Sequence, residues 1–246
     1  IPNKEIMELL GDSPQELKIR LMFDDMSLNF HTEFQMYNGN KRVCHGDGET
    51  ATRFFKAAGK QKIPTEAGEQ EITVKAGESV SIKCDPSTCP FAQPDDKGAT
   101  KCKPSGILSC MLADSMDIGG VYRYRTHSWN GVSAITAAHE WIASQTNGIM
   151  MGLPLKLKLV KKTTADHGTI QYVTLVVDGE LMKMRQDALT EYQNRKMLGI
   201  EIKKLESEAI TAGFTVDTDD EEDIQGEFYN IVPDDAVSPS PEKVDF

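Results

Sequence analysis

The sequence lacks the features that mark membrane proteins, secreted proteins and nucleotide-binding enzymes. Its apolar runs are all much shorter than the roughly 20 residues that span a bilayer. The first residues lack the basic-then-apolar order of a signal peptide. There is no phosphate-binding loop and no dinucleotide-binding fingerprint. These absences predict a cytoplasmic protein that makes no contact with membranes.

Candidate catalytic groups are equally scarce. His139 and Glu140 lie in a predicted helix, but no second histidine follows at the spacing of a zinc-protease HExxH motif. His127 and Ser128 are neighbours in an extended segment, so their side chains would point to opposite faces. We therefore expect a protein that is not an enzyme, has no catalytic residues and takes no small-molecule substrate.

Acidic residues outnumber basic ones, but the imbalance is local. The chain has a formal net charge of −11. Between Asp217 and Phe246, eleven acidic residues and one lysine contribute −10, which leaves about −1 for residues 1–216. Segments rich in acidic residues and proline are typically disordered. We predict that residues 214–246 form a disordered acidic tail, which either keeps the protein soluble or binds a basic partner.

Cysteine is sparse, yet four of the five cysteines fall in one segment, residues 84–110, which reads CDPSTCP…KCKPSGILSC. A proline-rich loop with so little apolar surface cannot hold its own shape, whereas four thiolates around one Zn²⁺ would hold it. The candidate ligands of this structural zinc are Cys84, Cys89, Cys102 and Cys110. Cys44 or His45 could replace one of them. Free thiols or two disulfides are the alternative.

The apolar pattern predicts an α+β fold. Alternating residues indicate eight or so short strands, among them residues 17–23 and a leucine-rich strand that begins at Leu153. Residues 131–146 and 185–212 have helical periodicity, although Gly199 weakens the second helix. We predict a compact antiparallel sheet that could close into a barrel, with two main helices, a zinc-stapled loop and a disordered acidic tail.

This interpretation divides the chain into three parts. Residues 1–184 form the α+β body, which contains the cysteine loop at 84–110. Residues 185–213 form a helix whose apolar positions are spaced like a heptad, so it packs either on the body or on a partner. Residues 214–246 form the tail.

The segment YRYRTHSWN interleaves arginine with aromatic residues. Arginine contacts phosphate, and aromatic rings stack on unpaired bases. In a strand the arginines would share one face and the tyrosines the other. The candidate nucleic-acid or partner-binding residues are Arg123, Arg125, Tyr122, Tyr124, Trp129, Lys156 and Lys158. The alternative is an ordinary strand with exposed arginines and with Trp129 in the core.

Five stretches, taken in order, resemble a known family. They are KIRLMF, VCHGDGETATR, CDPSTCP…CKPSGILSC, GGVYRYRTHSWNGVSAI and GIMMGLPLKLKLV. This set resembles the phage recombination directionality factors that partner large serine integrases, over roughly residues 17–177. The cysteine segment, RTHSWN and GLPLKL are its most specific parts. The resemblance carries the four cysteines over to Cys84, Cys89, Cys102 and Cys110.

The resemblance implies a non-enzymatic accessory protein in the cytoplasm of a bacterial host cell. Such a factor binds a serine integrase on its attachment-site DNA and favours excision. The acidic tail lies outside the resembling stretches and is similar instead to the acidic, aromatic-ended tails of phage single-strand DNA-binding proteins. The alternative function is therefore that of a single-stranded-DNA-binding phage replication protein with a zinc-stapled body and a partner-binding tail.

Overall fold

The computed structural model describes residues 11, 14–39, 41–96, 98–113, 120–164 and 168–215. The strands are β1 (Glu16–Arg20), β2 (Phe30–Asn38), β3 (Lys41–Gly46), β4 (Thr50–Phe55), β5 (Gly59–Thr65), β6 (Gly68–Val74), β7 (Glu78–Lys83), β8 (Cys102–Leu112), β9 (Tyr122–Thr126), β10 (Leu155–Thr164) and β11 (Gly168–Val177). The helices are α1 (Met26–Asn29), α2 (Trp129–Gln145), α3 (Leu181–Leu198) and α4 (Ile202–Thr211).

Nine of these strands form one sheet in the order β11-β10-β1-β8-β2-β3-β4-β7, and β9 also pairs with β8. The hairpin of β5 and β6 is a separate two-stranded sheet. Every strand pair is antiparallel. The predicted α+β class is confirmed. The end strands β7 and β11 do not pair with each other, so the sheet of the described residues is open and is not a barrel.

The central strand β8 was not expected, because its sequence reads as part of an irregular loop. Only residues 84–101 are irregular, and Cys102–Leu112 is extended. Pro104 obscures the strand, since proline cannot donate a ladder hydrogen bond and is normally confined to sheet edges. Here β9 pairs only with residues 106–110, so in the described structure the part of β8 around Pro104 pairs with β2 alone.

The main core lies between the sheet and α2. Leu108 of β8 and Ile135 of α2 are both completely buried in it. Gly106 allows the layers to approach closely: a Cβ at this position would lie 2.6 Å from the Phe30 ring and 3.1 Å from Val132. Burial of each large apolar side chain contributes about 1.5–3 kcal/mol. The packing of α2 on β8 is therefore a principal source of stability.

The predicted strand GLPLKLKLV and the predicted helix at 131–146 are both present. Leu153, Leu155 and Leu157 are buried as expected, whereas Leu159 is half-buried. The helix at 131–146 is observed as α2, which begins two residues earlier. Its N-cap is Ser128, whose side chain accepts a hydrogen bond from the backbone of Gly131. A hydroxyl at this position satisfies one of the free N–H groups of the first turn.

The second predicted helix is two helices. Gly199 ends α3 with a φ of 67°, in the left-handed region that glycine adopts without strain. The next N–H, that of Ile200, donates to the carbonyl of Arg195 at 3.0 Å, which closes the helix end. The expectation of one continuous helix over 185–212 was wrong, because Gly199 acts as a C-cap rather than as a weak interior position.

These two helices pack on the body. Met184 and Ala188 of α3 join the main core. Arg195 donates to Asp24 at 2.8 Å, and the buried carboxylate of Glu206 in α4 accepts the backbone N–H of Asp24 at 3.1 Å. One side of this region therefore packs on the body, as the first alternative predicted, although Leu198 of the predicted heptad is 74% exposed.

Phe214, which the tail prediction included, belongs to the body. Its ring makes an edge contact with Phe23, with the ring centroids 5.1 Å apart. The remainder of the predicted tail, residues 216–246, lies outside the described residues. None of the helices in the described ranges is long and apolar enough to cross a bilayer.

Candidate metal site and partner-binding surface

A cavity of about 530 Å³ lies where the cysteine loop meets the sheet. Its floor is formed by β2, β3, β4 and the start of β8, and the β5–β6 hairpin forms one wall. The loop that follows β7 forms another wall, with Pro86, Pro90 and Phe91. The four cysteines that line this cavity are Cys44, Cys84, Cys89 and Cys102.

Strand register brings Cys44 and Cys102 to the cavity. Met36 of β2 pairs with Cys44 of β3 on one side and with Cys102 of β8 on the other. Directly paired residues point to the same face of a sheet, so all three side chains face the cavity. The β2–β3 register shifts next to this position, between Met36 and Tyr37. Such irregularities bend strands and redirect side chains at functional sites.

Local hydrogen bonds position the two loop cysteines. The N–H of Cys84 donates to the carbonyl of Glu49 at 2.8 Å, which ties the end of β7 to the turn before β4. The N–H of Cys89 donates to the carbonyl of Asp85 at 2.8 Å, which folds the Cys84–Cys89 spacing into a turn. These bonds use only backbone groups, and both cysteines line the cavity.

The loop returns to the sheet through Phe91. Its carbonyl accepts the N–H of Cys102 at 2.7 Å. Its ring lies under the guanidinium of Arg53, 4.6 Å from the ring centroid. A cation over an aromatic face stabilises such a contact by about 0.5–1 kcal/mol at an exposed site. The loop is therefore attached to the sheet at both ends and by one side-chain contact.

The electrostatic neighbours of the thiols show which cysteines lie together. Burial raises the pKa of Cys44 to about 11, with Cys84 and Cys89 raising it and Arg53 lowering it. Burial also raises the pKa of Cys102 to about 12, with further increases from Cys44, Cys89 and Cys84. Burial and the Cys89 thiol raise the pKa of Cys84, and a backbone hydrogen bond from Gly48 lowers it. Each of the four thiols is thus close to the other three.

Cys110 is not part of this group. It lies in β8 together with Cys102, eight residues further along. Eight residues of extended chain span about 26 Å, so one metal ion cannot bind both thiols. Cys110 is 2% exposed within the main core, where burial alone raises its pKa to about 12. The predicted ligand set therefore loses Cys110, and Cys44 is the cysteine that takes its place beside the other three.

His45 does not join the cavity either. It follows Cys44 in β3, so its side chain points to the opposite face of the sheet. There its Nδ1 lies 3.4 Å from a carboxylate oxygen of Glu33. In the arrangement described, no three histidine, cysteine or acidic side chains outside the masked ranges are close enough together to hold a metal ion. The four thiols share a cavity, but they are not yet at coordinating distance.

The residues predicted to contact nucleic acid do not form one surface. Tyr122 and Tyr124 pack against the main core. Arg123 and Arg125 alternate with them in β9 and point to the other face, where they pair in register with Ser109 and Ile107. The predicted alternation is present, but the tyrosine rings are not free to stack on bases.

The remaining predicted contacts are also separated. Lys156 forms ion pairs of 3.1 Å with Glu16 and 3.0 Å with Asp178, which neutralise its charge. Lys158 is exposed on the same strand, β10. Trp129 is 53% exposed at the start of α2, with its ring centroid 5.4 Å from that of Phe34, so it is not in the core.

A surface that the sequence analysis missed lies on α2. Trp141 is 49% exposed, and it lies on the same i, i+4 row of the helix as Trp129. The residues between them on this row, Ser133 and Ala137, are small and exposed. The sequence signal that could have revealed this surface is the helical period: Ile135 and Ile142 mark the buried side of α2, and both tryptophans lie off that side.

Comparison with known proteins identifies the family. Residues 2–178 match the model of the Gp3-like family, which is described as recombination directionality factor-like. The match covers well over half of the chain, and the chain belongs to this family. No curated protein and no solved structure gives a significant match. The matched residues include the cysteine cavity and α2, and they end before α3.

Proposed function

We propose that this member of the recombination directionality factor-like family binds a serine integrase on its attachment-site DNA and favours excision. The observation that carries the proposal is the family match, which spans the entire sheet and α2. The protein acts in this proposal by contact with its partner in the bacterial cytoplasm, and it catalyses no reaction itself.

The exposed face of α2 is the surface that we assign to the integrase. Trp129 and Trp141 lie about 18 Å apart along the helix axis, since each residue adds about 1.5 Å. Tryptophan is strongly enriched among residues that dominate binding energy. The row turns by about 120° around the helix axis between the two indoles. Ser133 and Ala137, which lie between them, are small and exposed, so they do not obstruct a partner that wraps this side of the helix. The face lies within the residues that define the family match.

Binding of single-stranded DNA is the alternative function, and the side-chain arrangement supports it less. Such binding needs exposed rings beside a groove of cations. The Tyr122 and Tyr124 rings contact the core, and Lys156 is held in ion pairs. The exposed Trp129 contacts Phe34, whose side chain lies on the core side of the sheet, and Arg123 lies on the opposite side. The indole and this arginine therefore do not line one groove. We therefore expect only weak, salt-sensitive binding to single strands.

The test is an in vitro recombination assay with the serine integrase of the same phage genome and its attachment-site DNAs. The full chain should stimulate excision and further retard the integrase–DNA complex in a gel. Trp141→Ala should weaken this effect by about 30-fold, because a hot-spot tryptophan contributes ~2 kcal/mol or more. Met197→Ala is the matched control, since Met197 is 78% exposed on α3, outside the family match.

Three outcomes would contradict parts of this proposal. If the full chain neither binds the integrase–DNA complex nor changes excision, the proposed function is wrong. If it stimulates excision and both Trp129→Ala and Trp141→Ala behave like Met197→Ala, α2 is not the contact surface. Tight binding to a single-stranded oligonucleotide that weakens steeply with salt would favour the alternative function.

A further inference from the structure

We propose that the cavity beneath the cysteine loop is a structural zinc site whose four ligands are Cys44, Cys84, Cys89 and Cys102. A four-thiolate site leaves no coordination position for water or substrate, so the metal has a structural role. Phe34 lines this cavity and also contacts the Trp129 ring, so the site borders the α2 surface, but the inference does not depend on the proposed integrase binding.

Separate parts of the chain bring these thiols together. Cys44 comes from β3, Cys102 from the first position of β8, and Cys84 and Cys89 from the loop after β7. All four line the same cavity. The fifth cysteine, Cys110, is buried in the main core instead. The fold therefore distinguishes four cysteines from the fifth, although the sequence groups Cys110 with the loop and leaves Cys44 forty residues away from it.

The surroundings of the cavity suit the charge of such a site. Zn²⁺ with four thiolates carries a net charge of −2. The cavity is lined by three cationic residues, Arg53, Lys62 and Lys83, against two acidic ones, Glu69 and Asp85. Gly48 donates a backbone hydrogen bond to Cys84. Hydrogen bonds to ligating sulfur are the outer contacts that stabilise metal sites of this kind. Soft thiolate ligands in a tetrahedral set select zinc or iron–sulfur centres over hard cations.

Metal binding has to bring the four thiols closer together than they are in this structure. Cys44 and Cys102 are separated by one strand, which places their backbones about 10 Å apart, so both thiols must lean over Met36. The loop cysteines Cys84 and Cys89 then close the site from the other side. Each ligand binds as a thiolate, so four thiol protons pass to solvent as Zn²⁺ binds. The metal would hold the proline-rich segment in place, which its own apolar contacts cannot do.

The test is metal analysis of the full chain purified without chelators, compared with five single variants. Wild type should contain about one Zn²⁺ per chain. Cys44→Ala, Cys84→Ala, Cys89→Ala and Cys102→Ala should each lose it. Cys110→Ala is the matched control and should retain it, because Cys110 contacts only the core. Removal of zinc with a strong chelator should also accelerate tryptic cleavage at the exposed Lys101, and added Zn²⁺ should reverse the change.

Any of the following outcomes would overturn the inference. Metal-free wild type with four titratable thiols, or with two disulfides under non-reducing conditions, would exclude the site. Iron in place of zinc would exclude a zinc site. Retention of zinc by Cys44→Ala together with its loss from Cys110→Ala would return the fourth ligand to Cys110. If a variant does not fold, Co²⁺ titration of refolded wild type provides an independent measurement, because Co²⁺ bound by four thiolates has a characteristic tetrahedral absorption spectrum. Absence of that spectrum would refute the site.

Discussion

Arg195 and Asp24 form an ion pair with 2.8 Å between Nη1 and Oδ2, although 171 residues separate them. The same carboxylate accepts the backbone N–H groups of Met150 and Met151, each at 2.8 Å. Arg195 also donates to the carbonyl of Met151. One aspartate and one arginine thus join α3, the segment before β10 and the segment before α1.

Substitution of Arg195 should strongly destabilise the fold. Its side chain is 5% exposed, so Arg195→Ala leaves the carboxylate of Asp24 partly buried without its cation. Breaking a buried pair from one side costs about 3–5 kcal/mol. We expect the midpoint of urea unfolding to fall accordingly. Lys196→Ala, at the exposed neighbouring position, is the control and should change stability by less than about 0.5 kcal/mol. Equal effects of the two substitutions would show that the pair contributes nothing.

Phe214 should mark the end of the stable body. A chain that ends at Thr215 keeps the contact between Phe214 and Phe23 and should melt within a degree or two of the full chain. Phe214→Ala should lower the free energy of unfolding by about 1–2 kcal/mol, because it removes apolar burial and an aromatic pair. Thermal unfolding followed by circular dichroism measures both effects. A large loss of stability in the chain ending at Thr215 would mean that the acidic segment contributes to folding.

His139 should make stability depend on pH. It is 2% exposed, and burial lowers its pKa below the usual value, although Asp25 and Glu140 oppose the shift. The unfolded chain therefore binds the proton more readily than the folded one, so stability from this group is present above about pH 6.5 and is lost as the pH falls. The slope reaches at most about 1.4 kcal/mol per pH unit.

His139→Gln is the variant that isolates the contribution of His139 to the pH dependence of stability. Glutamine does not titrate, so the stability difference between wild type and variant should shrink as the pH falls from 7.5 to 5. Denaturant unfolding at several pH values provides the measurement. A difference that stays constant over this range would show that His139 has the same pKa in the folded and unfolded chains.

Gly106 should tolerate no larger residue. In Gly106→Ala the new methyl would lie 2.6 Å from the Phe30 ring, so β8 and the residues packed on it must move apart. Overpacking of this kind costs about 1–3 kcal/mol. In the control Gly120→Ala the new methyl meets only Tyr122 at 3.5 Å, an ordinary contact. Comparison of the two melting temperatures decides the prediction, and equal temperatures would show that α2 and β8 are not in close contact.

Local sequence patterns predicted much of the secondary structure. Alternation in YRYRT separated the tyrosines from the arginines correctly, and alternation in LKLKL placed Leu155 and Leu157 inward, because residue period alone sets which residues of a strand share a face. It did not show that the tyrosine face is the one that packs on the core. Helical period located the start of α2 to within two residues. The alternative interpretation of YRYRTHSWN placed Trp129 in the core, but the side chain is 53% exposed. Periodicity does not show which side of a helix packs on the rest of the protein.

The family, the α+β class and the presence of a cysteine cluster were determined by the sequence itself, because motifs and residue periods are local properties. The tertiary structure alone decided which cysteines meet. Cys102 and Cys110 are close in sequence but far apart along one extended strand, whereas Cys44 and Cys102 come from distant segments and flank Met36. Strand pairing and register are non-local: they depend on which segments bury one another's apolar faces, and spacing along the chain does not encode that choice.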